Sequence, residues 1–324
     1  MELGNWTMNT EFILIGFSQN FQISVYLFIL FFVIYILTIL GNGFLIGTVI
    51  VTPKLHTPMY YFLCNLSFLD LCYSSCTVPK LLFDVLSKKR RISVIMCLTQ
   101  MNIGLILGGI ECMLLAVMAY DRYIAICSPL HYTTIMSWRV CRYITVIIWF
   151  GSLILSSFPT MSRPLVFCKE NQLNHFFCEI LLLLEVACGD LSFYKITIVV
   201  VGFFTLLSPP VFIIGSYTCI IVSILKMRSS RGRSRAFSTC ASHVTVVIMF
   251  FGTSMTMYMG QTRSFSPYLK YISLVYMVIT PVLNPLIYSL RNNDVKQAFG
   301  KILTRCSLSQ HHWPQNTGRT ALCT

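Results

Sequence analysis

The sequence predicts an all-α membrane protein: a bundle of seven transmembrane helices, N-terminus extracellular and C-terminus cytoplasmic. Three observations predict it. Of 324 residues, 56% are hydrophobic and only 11% charged, where soluble domains carry about 25% charged residues. Seven stretches nearly free of charge are each long enough to cross a bilayer, which takes about 20 mostly apolar residues. The basic residues then collect on one side of those stretches. The net charge of +13 in a soluble protein would suggest a polyanion partner, but the apolar fraction argues against a nucleic-acid binder, a soluble enzyme or a disordered chain.

The spans come in this order. No charge separates Glu11 from Lys54, and residues 25–50 form the first span. The second, 58–80, contains Asp70, and the third, 96–121, contains Glu111. Spans four to seven, 142–162, 196–225, 237–260 and 271–290, contain no charged residue beyond Arg142 at the edge of the fourth. Barrel strands would be about 10 residues of strict alternation, and residues 25–40 show none. Pro209, Pro281 and Pro285 fall inside spans, which bundles tolerate because neighbouring helices satisfy the freed carbonyls. Residues 1–24 read as an extracellular tail, 25–290 as the seven-helix domain, and 291–324 as a cytoplasmic tail with a short amphipathic helix.

With the N-terminus outside, the cytoplasmic segments hold fourteen basic and two acidic residues, and the outer segments nine and seven. The run Lys88-Lys89-Arg90-Arg91 is the exception, since it lies in the first outer loop. No basic residue precedes Lys54, so no cleavable signal peptide is expected and the first span acts as an anchor. Asn5 begins a glycosylation sequon in the outer tail. Of fourteen cysteines, Cys97, Cys168, Cys178 and Cys188 fall outside, where four cysteines allow three pairings. The expected set is Cys97–Cys178, tying the loop to the third helix, and Cys168–Cys188, closing the loop on itself as a lid. His175, Cys178 and Glu179 offer metal-ligand chemistry, but an oxidised Cys178 has no thiolate to give, so no metal is assigned.

Polar groups within a bilayer are functional candidates. Asn42, Asp70 and Asn284 could form one polar cluster, either a hydrated site for sodium or water or an interhelical hydrogen-bond network. Asp121-Arg122-Tyr123 ends the third span, where an Asp–Arg pair could lock the inner end and release it when helices move.

Longer strings surround these residues. Leu55-His56-Thr57-Pro58-Met59-Tyr60 opens the second span, and Met118-Ala119-Tyr120-Asp121-Arg122-Tyr123-Ile124-Ala125-Ile126-Cys127 closes the third. Ser216-Tyr217 lies late in the fifth, and residues 235–243, RAFSTCASH, open the sixth. Residues 281–292, PVLNPLIYSLRN, close the seventh and contain Tyr288. In this order and spacing the chain resembles a vertebrate olfactory receptor, within the rhodopsin-like G-protein-coupled receptors, from about Glu11 to Lys301. Departures are Arg235 for the usual Lys, Ile124 for Val, and Phe251 for Tyr.

The resemblance implies a pocket between helices three, five, six and seven under the outer loop. On this sequence it maps to Gly104, Leu105, Gly108, Gly109, Cys112, Val201, Gly202, Thr205, Phe251, Ser254, Tyr258 and Met277. Positions 104, 105, 108 and 112 share one helix face. It implies activation through Asp121, Arg122, Tyr123, Tyr217 and Tyr288, with a small volatile odorant and the stimulatory olfactory heterotrimeric G protein as partners, a rise in cyclic AMP, and residence in the plasma membrane. No cofactor is implied: no lysine lies within residues 271–290 to hold retinal. Cys97–Gly109 carries no acidic residue to pair with an amine, so small, neutral, mostly hydrophobic ligands are expected. The basic stretch from Lys226 to Arg235 suits anionic membrane lipids. A transporter would show paired broken helices in two repeats; an enzyme would show its histidines at metal-ligand spacing. Neither pattern is present in the sequence.

Overall fold

A computed structural model describes residues 10–17, 20–168, 170–227, 229–259, 269–291 and 295–301. Asn5 and residues 302–324, most of the expected cytoplasmic tail, lie outside them. Seven long helices make the bundle: α1 (Phe21–Val51), α2 (Pro58–Leu86), α3 (Val94–Cys127), α4 (Trp138–Ser162), α5 (Ser192–Leu225), α6 (Ser230–Met259) and α7. The last runs from Leu269–Leu274 through a π-helical turn, Val275–Ile279, into Thr280–Arg291. A second π turn, Phe203–Leu207, interrupts α5.

Local chemistry sets several ends. The Asn20 side chain accepts from the backbone N–H of Gln22 and Ile23, and Ser93 accepts from Met96, so both helices start on capped donors. Pro58 opens α2 at a position whose N–H has no helical partner. The helices outrun the apolar stretches that predict them. At 34 residues and 1.5 Å per residue, α3 is about 51 Å long, against a hydrocarbon core of about 30 Å. Charge counting locates the slab, while hydrogen bonding continues the helix beyond it.

Among the described residues, six helices are apolar and long enough to cross a membrane on composition alone. Helix α2 falls short because it carries Asp70, Lys80 and Asp84. It compensates by burial between α1, α3 and α7, with Phe62, Leu63, Leu66 and Leu69 sealed in the core, and Lys80 pairs with Asp84 one turn on. The outer faces are apolar, as at Ile29, Phe32, Ile147, Phe150 and Ile214. That is the surface a lipid-embedded bundle needs.

Helices α1 and α7 meet around a proline. Pro285 has no N–H for the carbonyl of Pro281, and Asn42 of α1 donates to that oxygen at 2.9 Å. A Cβ at Gly41 would lie 3.2 Å from the Pro285 ring, so the glycine permits this approach.

One end of the bundle is capped by short strands. β1 (Glu11–Leu14) pairs antiparallel with β2 (Arg91–Ser93) and parallel with β4 (Gln172–Leu173), while β3 (Val166–Phe167) pairs with β5 (Ala187–Cys188). Cys97–Cys178 and Cys168–Cys188 are bonded, with Cα–Cα separations of 5.4 and 6.0 Å. The basic run that resists the loop-charge pattern has local work here. Arg90 donates to the carbonyl of Phe17 at 2.7 Å, and Arg91 pairs with Glu11.

Candidate functional site

Beneath this lid lies a cavity of about 560 Å³. Three glycines, Gly104, Gly108 and Gly109, leave the face of α3 bare toward it, and Leu105 and Cys112 complete that wall. A Cβ on Gly104 or Gly108 would only graze the Tyr73 hydroxyl, at 3.9 and 3.8 Å. Gly104 and Gly108 therefore make room, whereas a Cβ on Gly109 would meet the Ser152 side chain of α4 at 3.4 Å, so that glycine also permits close helix contact. Val201, Gly202 and Thr205 come from α5, Ser254 and Tyr258 from α6, and Ile180 from a short loop helix, Ile180–Val186. The lining also includes Ile147, Leu155, Phe203 and Phe204, which are exposed on the outside of the bundle. The cavity thus opens sideways between α4 and α5.

The lid is pinned to both sides of this space. Cys178 is bonded to Cys97 of α3, and its N–H donates to Gln100 at 3.0 Å. His175 is fully buried, with Nδ1 2.9 Å from the Phe177 carbonyl and Nε2 3.2 Å from the Ser273 hydroxyl. Nδ1 braces the loop on itself and Nε2 holds it to α7, and burial pushes the imidazole down to about 3. Lys270 adds bonds to the Gly16 carbonyl and to Asn174.

At mid-bundle, Asn284 donates to both Asp70 carboxylate oxygens at 3.1 Å. Asn42 bonds backbone carbonyls instead, those of Thr38 and Pro281. The three residues expected to form one cluster are thus a bonded pair and a neighbour serving α7. Glu111, which sequence reading passed over, is buried within electrostatic reach of Asp70, and its Oε1 has no partner. Its position in the third apolar stretch was the available signal.

At the end opposite the lid, Arg122 holds Asp121 Oδ2 through Nη2 at 2.7 Å and Nε at 3.1 Å, and Tyr132 donates to Oδ1 at 2.7 Å. Asp121 is completely buried. Tyr217 and His243 join α5 to α6 close by. Tyr288 is buried with its hydroxyl unpartnered, and Tyr123 is half-buried beside Tyr120. The arrangement is a ligand-sized hollow at one end and a closed ion pair at the other, joined by a polar core.

The profile of the olfactory receptor family matches residues 31–306. Human olfactory receptor 13C9 is 46% identical over 306 residues, covering 92% of this chain and 96% of that protein. Human olfactory receptor 13H1 is 44% identical over 306 residues, covering 94% and 99%, and mouse olfactory receptor 2A7 is 44% identical over 302 residues, covering 92% and 97%. The chain belongs to the olfactory receptor family. The crystal structure of squid rhodopsin superposes with a TM-score of 0.65 over 92% of this chain and 90% of that one at 19% identity, so the two share a fold. As an olfactory receptor, the protein is a multi-pass plasma-membrane receptor that senses odorants through a G protein and is not an enzyme.

Two expected pocket residues of this olfactory receptor lie elsewhere. Phe251 and Met277 pack into the core, and their neighbours Phe250 and Tyr276 line the cavity. On α6, position 250 lies one turn from Ser254 and two from Tyr258, so the face those two define selects it. On α7, Tyr276 and Met277 both lie within the π turn at Val275–Ile279, where the backbone departs from α-helical phase. Sequence reading also missed Tyr73, Ser152 and Tyr194 in the lining. Tyr73 and Ser152 project from α2 and α4, outside the four helices considered.

Proposed function

We propose that the cavity binds small, neutral, mostly hydrophobic volatiles from the extracellular side, and that binding activates a stimulatory heterotrimeric G protein and raises cyclic AMP. The observation that carries this reading is the roughly 560 Å³ glycine-walled, apolar hollow beneath a disulfide-pinned lid. Pockets of this size and character suit small organic ligands. Fragment-sized ligands gain at most about 1.5 kcal/mol per heavy atom, so micromolar affinities and overlapping tuning are expected.

The lid end faces outward and the Asp121–Arg122 end inward. An odorant that fits the open arrangement better than the resting one shifts the population by that difference and no more. Contacts at Phe250, Ser254 and Tyr258 would bias α6, Arg122 would leave Asp121, and the inner face would admit the G protein. The basic stretch from Lys226 to Arg235 contacts anionic lipid at that face. A broad volatile panel on cells expressing the receptor, with cyclic AMP as readout, tests this. Agonist responses that Arg122→Ala abolishes at equal surface expression are expected. Silence across the panel, with steady solute flux through the purified protein, would replace the receptor reading by a transporter.

A further inference from the structure

The cavity has a mouth on the membrane side. Among its lining residues, Ile147, Leu155, Phe203 and Phe204 are more than half exposed, and Met113 and Leu207 are exposed to a lesser degree. All six lie on α3, α4 or α5, whereas the lining residues from α2, α6, α7 and the lid are buried or half-buried. Small residues and an irregular backbone frame the gap. A Cβ on Gly151 of α4 or Gly202 of α5 would meet nothing within 4 Å. Phe203, Phe204 and Leu207 belong to the π turn of α5, where the backbone departs from α-helical phase.

Depth decides what meets this mouth. Leu155 and Ile147 lie about 12 and about 24 Å along the axis from Arg163, where α4 ends, in a bilayer whose hydrocarbon core is about 30 Å thick. No charged residue lies on α4 between Arg142 and Arg163, or on α5 between Lys195 and Lys226. The rim therefore faces acyl chains rather than water. A chain already in hydrocarbon has no hydration to lose on entering, and it gains the dispersion contacts that an unfilled hollow forfeits. Above the mouth, Arg163 and Lys195 are exposed, and Asp190 feels the charge of both. Arg163 also lies over the Phe193 ring of α5, at 4.9 Å, so it stands on the α4–α5 seam. Two cations against one acid suit a phosphate at this level. We propose that the mouth is a phospholipid site: one acyl chain of an outer-leaflet lipid enters the cavity between α4 and α5, while its phosphate rests by Arg163 and Lys195. This goes beyond odorant sensing and holds for the receptor with no odorant bound.

The test uses purified full-length receptor in nanodiscs of phosphatidylcholine, a fraction of it carrying a diazirine at the tip of one acyl chain. After irradiation, adducts are mapped by peptide mass spectrometry. They are expected inside the cavity, on Gly108, Cys112 and Ser254, as well as on the outward-facing Ile29 and Phe32 of α1. Adducts confined to outward faces overturn the inference. Gly151→Trp places its side chain in open space at the mouth, so it should lose the interior adducts and keep those on α1. Interior adducts that persist in this variant overturn the inference. Leu155→Trp, at the exposed rim, makes the same test should the first variant not fold. Arg163→Gln combined with Lys195→Gln should lower the interior yield several-fold, and an unchanged yield overturns the phosphate assignment. A photoreactive cholesterol that labels the interior as strongly as the phospholipid would make the occupant a sterol and overturn the acyl-chain assignment.

Discussion

Tyr217 on α5 and His243 on α6 share a hydrogen bond, Oη to Nδ1 at 2.8 Å, with their rings stacked. The contact lies within electrostatic range of Arg122, and in the proposed activation it fastens α6, the helix proposed to move, to α5. A hydrogen bond contributes about 1 kcal/mol net. His243→Phe should therefore raise ligand-free cyclic AMP about fivefold. Unchanged basal signal at matched surface expression would show that this contact does not hold the resting state.

The Asp121 carboxylate serves two partners, Arg122 on one oxygen and Tyr132 on the other. Asp121→Asn removes the charge pair and should raise basal activity more than Tyr132→Phe, which removes a single hydroxyl. Both contacts are charge-assisted, but Arg122 makes two hydrogen bonds and a charge attraction to Asp121 where Tyr132 makes one hydrogen bond. Basal cyclic AMP ranks the two, and the reverse order would remove the ion pair from the lock.

The two disulfides should not matter equally. Cys97–Cys178 joins residues 81 apart and Cys168–Cys188 residues 20 apart. Loop-closure entropy puts their contributions near 4.5 and 3 kcal/mol respectively. Cys97→Ser should depress surface expression more than Cys168→Ser. It also frees the lid segment beside Glu179, so the potency of any agonist should fall with it. Flow cytometry and dose–response curves report the two effects separately.

Cavity volume is tunable at the α3 glycines. Gly108→Leu places a side chain in the hollow, whereas Gly43→Leu on α1 meets open space. One methylene in an apolar pocket is worth about tenfold or more in discrimination. The first substitution should weaken bulky agonists at least about tenfold and the second should leave potency alone. Ser254→Ala and Tyr258→Phe should each move potency several-fold, consistent with one lost hydrogen bond. Unchanged potency for both would take them out of the pocket.

The lid has a built-in acid sensitivity. Burial lowers His175 from 6.5 to about 3 in the folded protein. Below its unfolded value the unfolded chain binds more protons, so this contribution is complete above 6.5 and declines as pH falls toward about 3. Glu179 acts oppositely: raised from 4.5 to about 7, its contribution is present below 4.5 and lost as pH rises through about 7. Melting temperature of the purified receptor across this range should therefore lose part of its acid-side fall in His175→Gln. Parallel curves for the two proteins would contradict the assignment.

The features legible in the sequence are those the bilayer enforces. Seven apolar stretches, and Asp70 and Asn284 within them, stand out because charge and polarity are expensive there. The bare face at Gly104, Gly108 and Gly109 is legible from helical spacing. The strands of the lid are not, since two to four residues give no alternation to read. Glu179 is invisible for a different reason. Its buried place against Tyr276 comes from where Cys178 and Gln100 anchor the loop, a tertiary fact with no local signature. Tyr276 in place of Met277 has a third cause, because both lie within a π turn that does not announce itself in composition.

The central claim is that filling the hollow under the lid opens the opposite end of the bundle. Paired labels at Arg139 on α4 and Arg233 on α6, both exposed, would track that opening in purified receptor. An agonist is predicted to lengthen the distance between them, and Gly108→Leu to abolish the change for a bulky agonist. An unaltered distance at agonist concentrations that raise cyclic AMP would contradict the account.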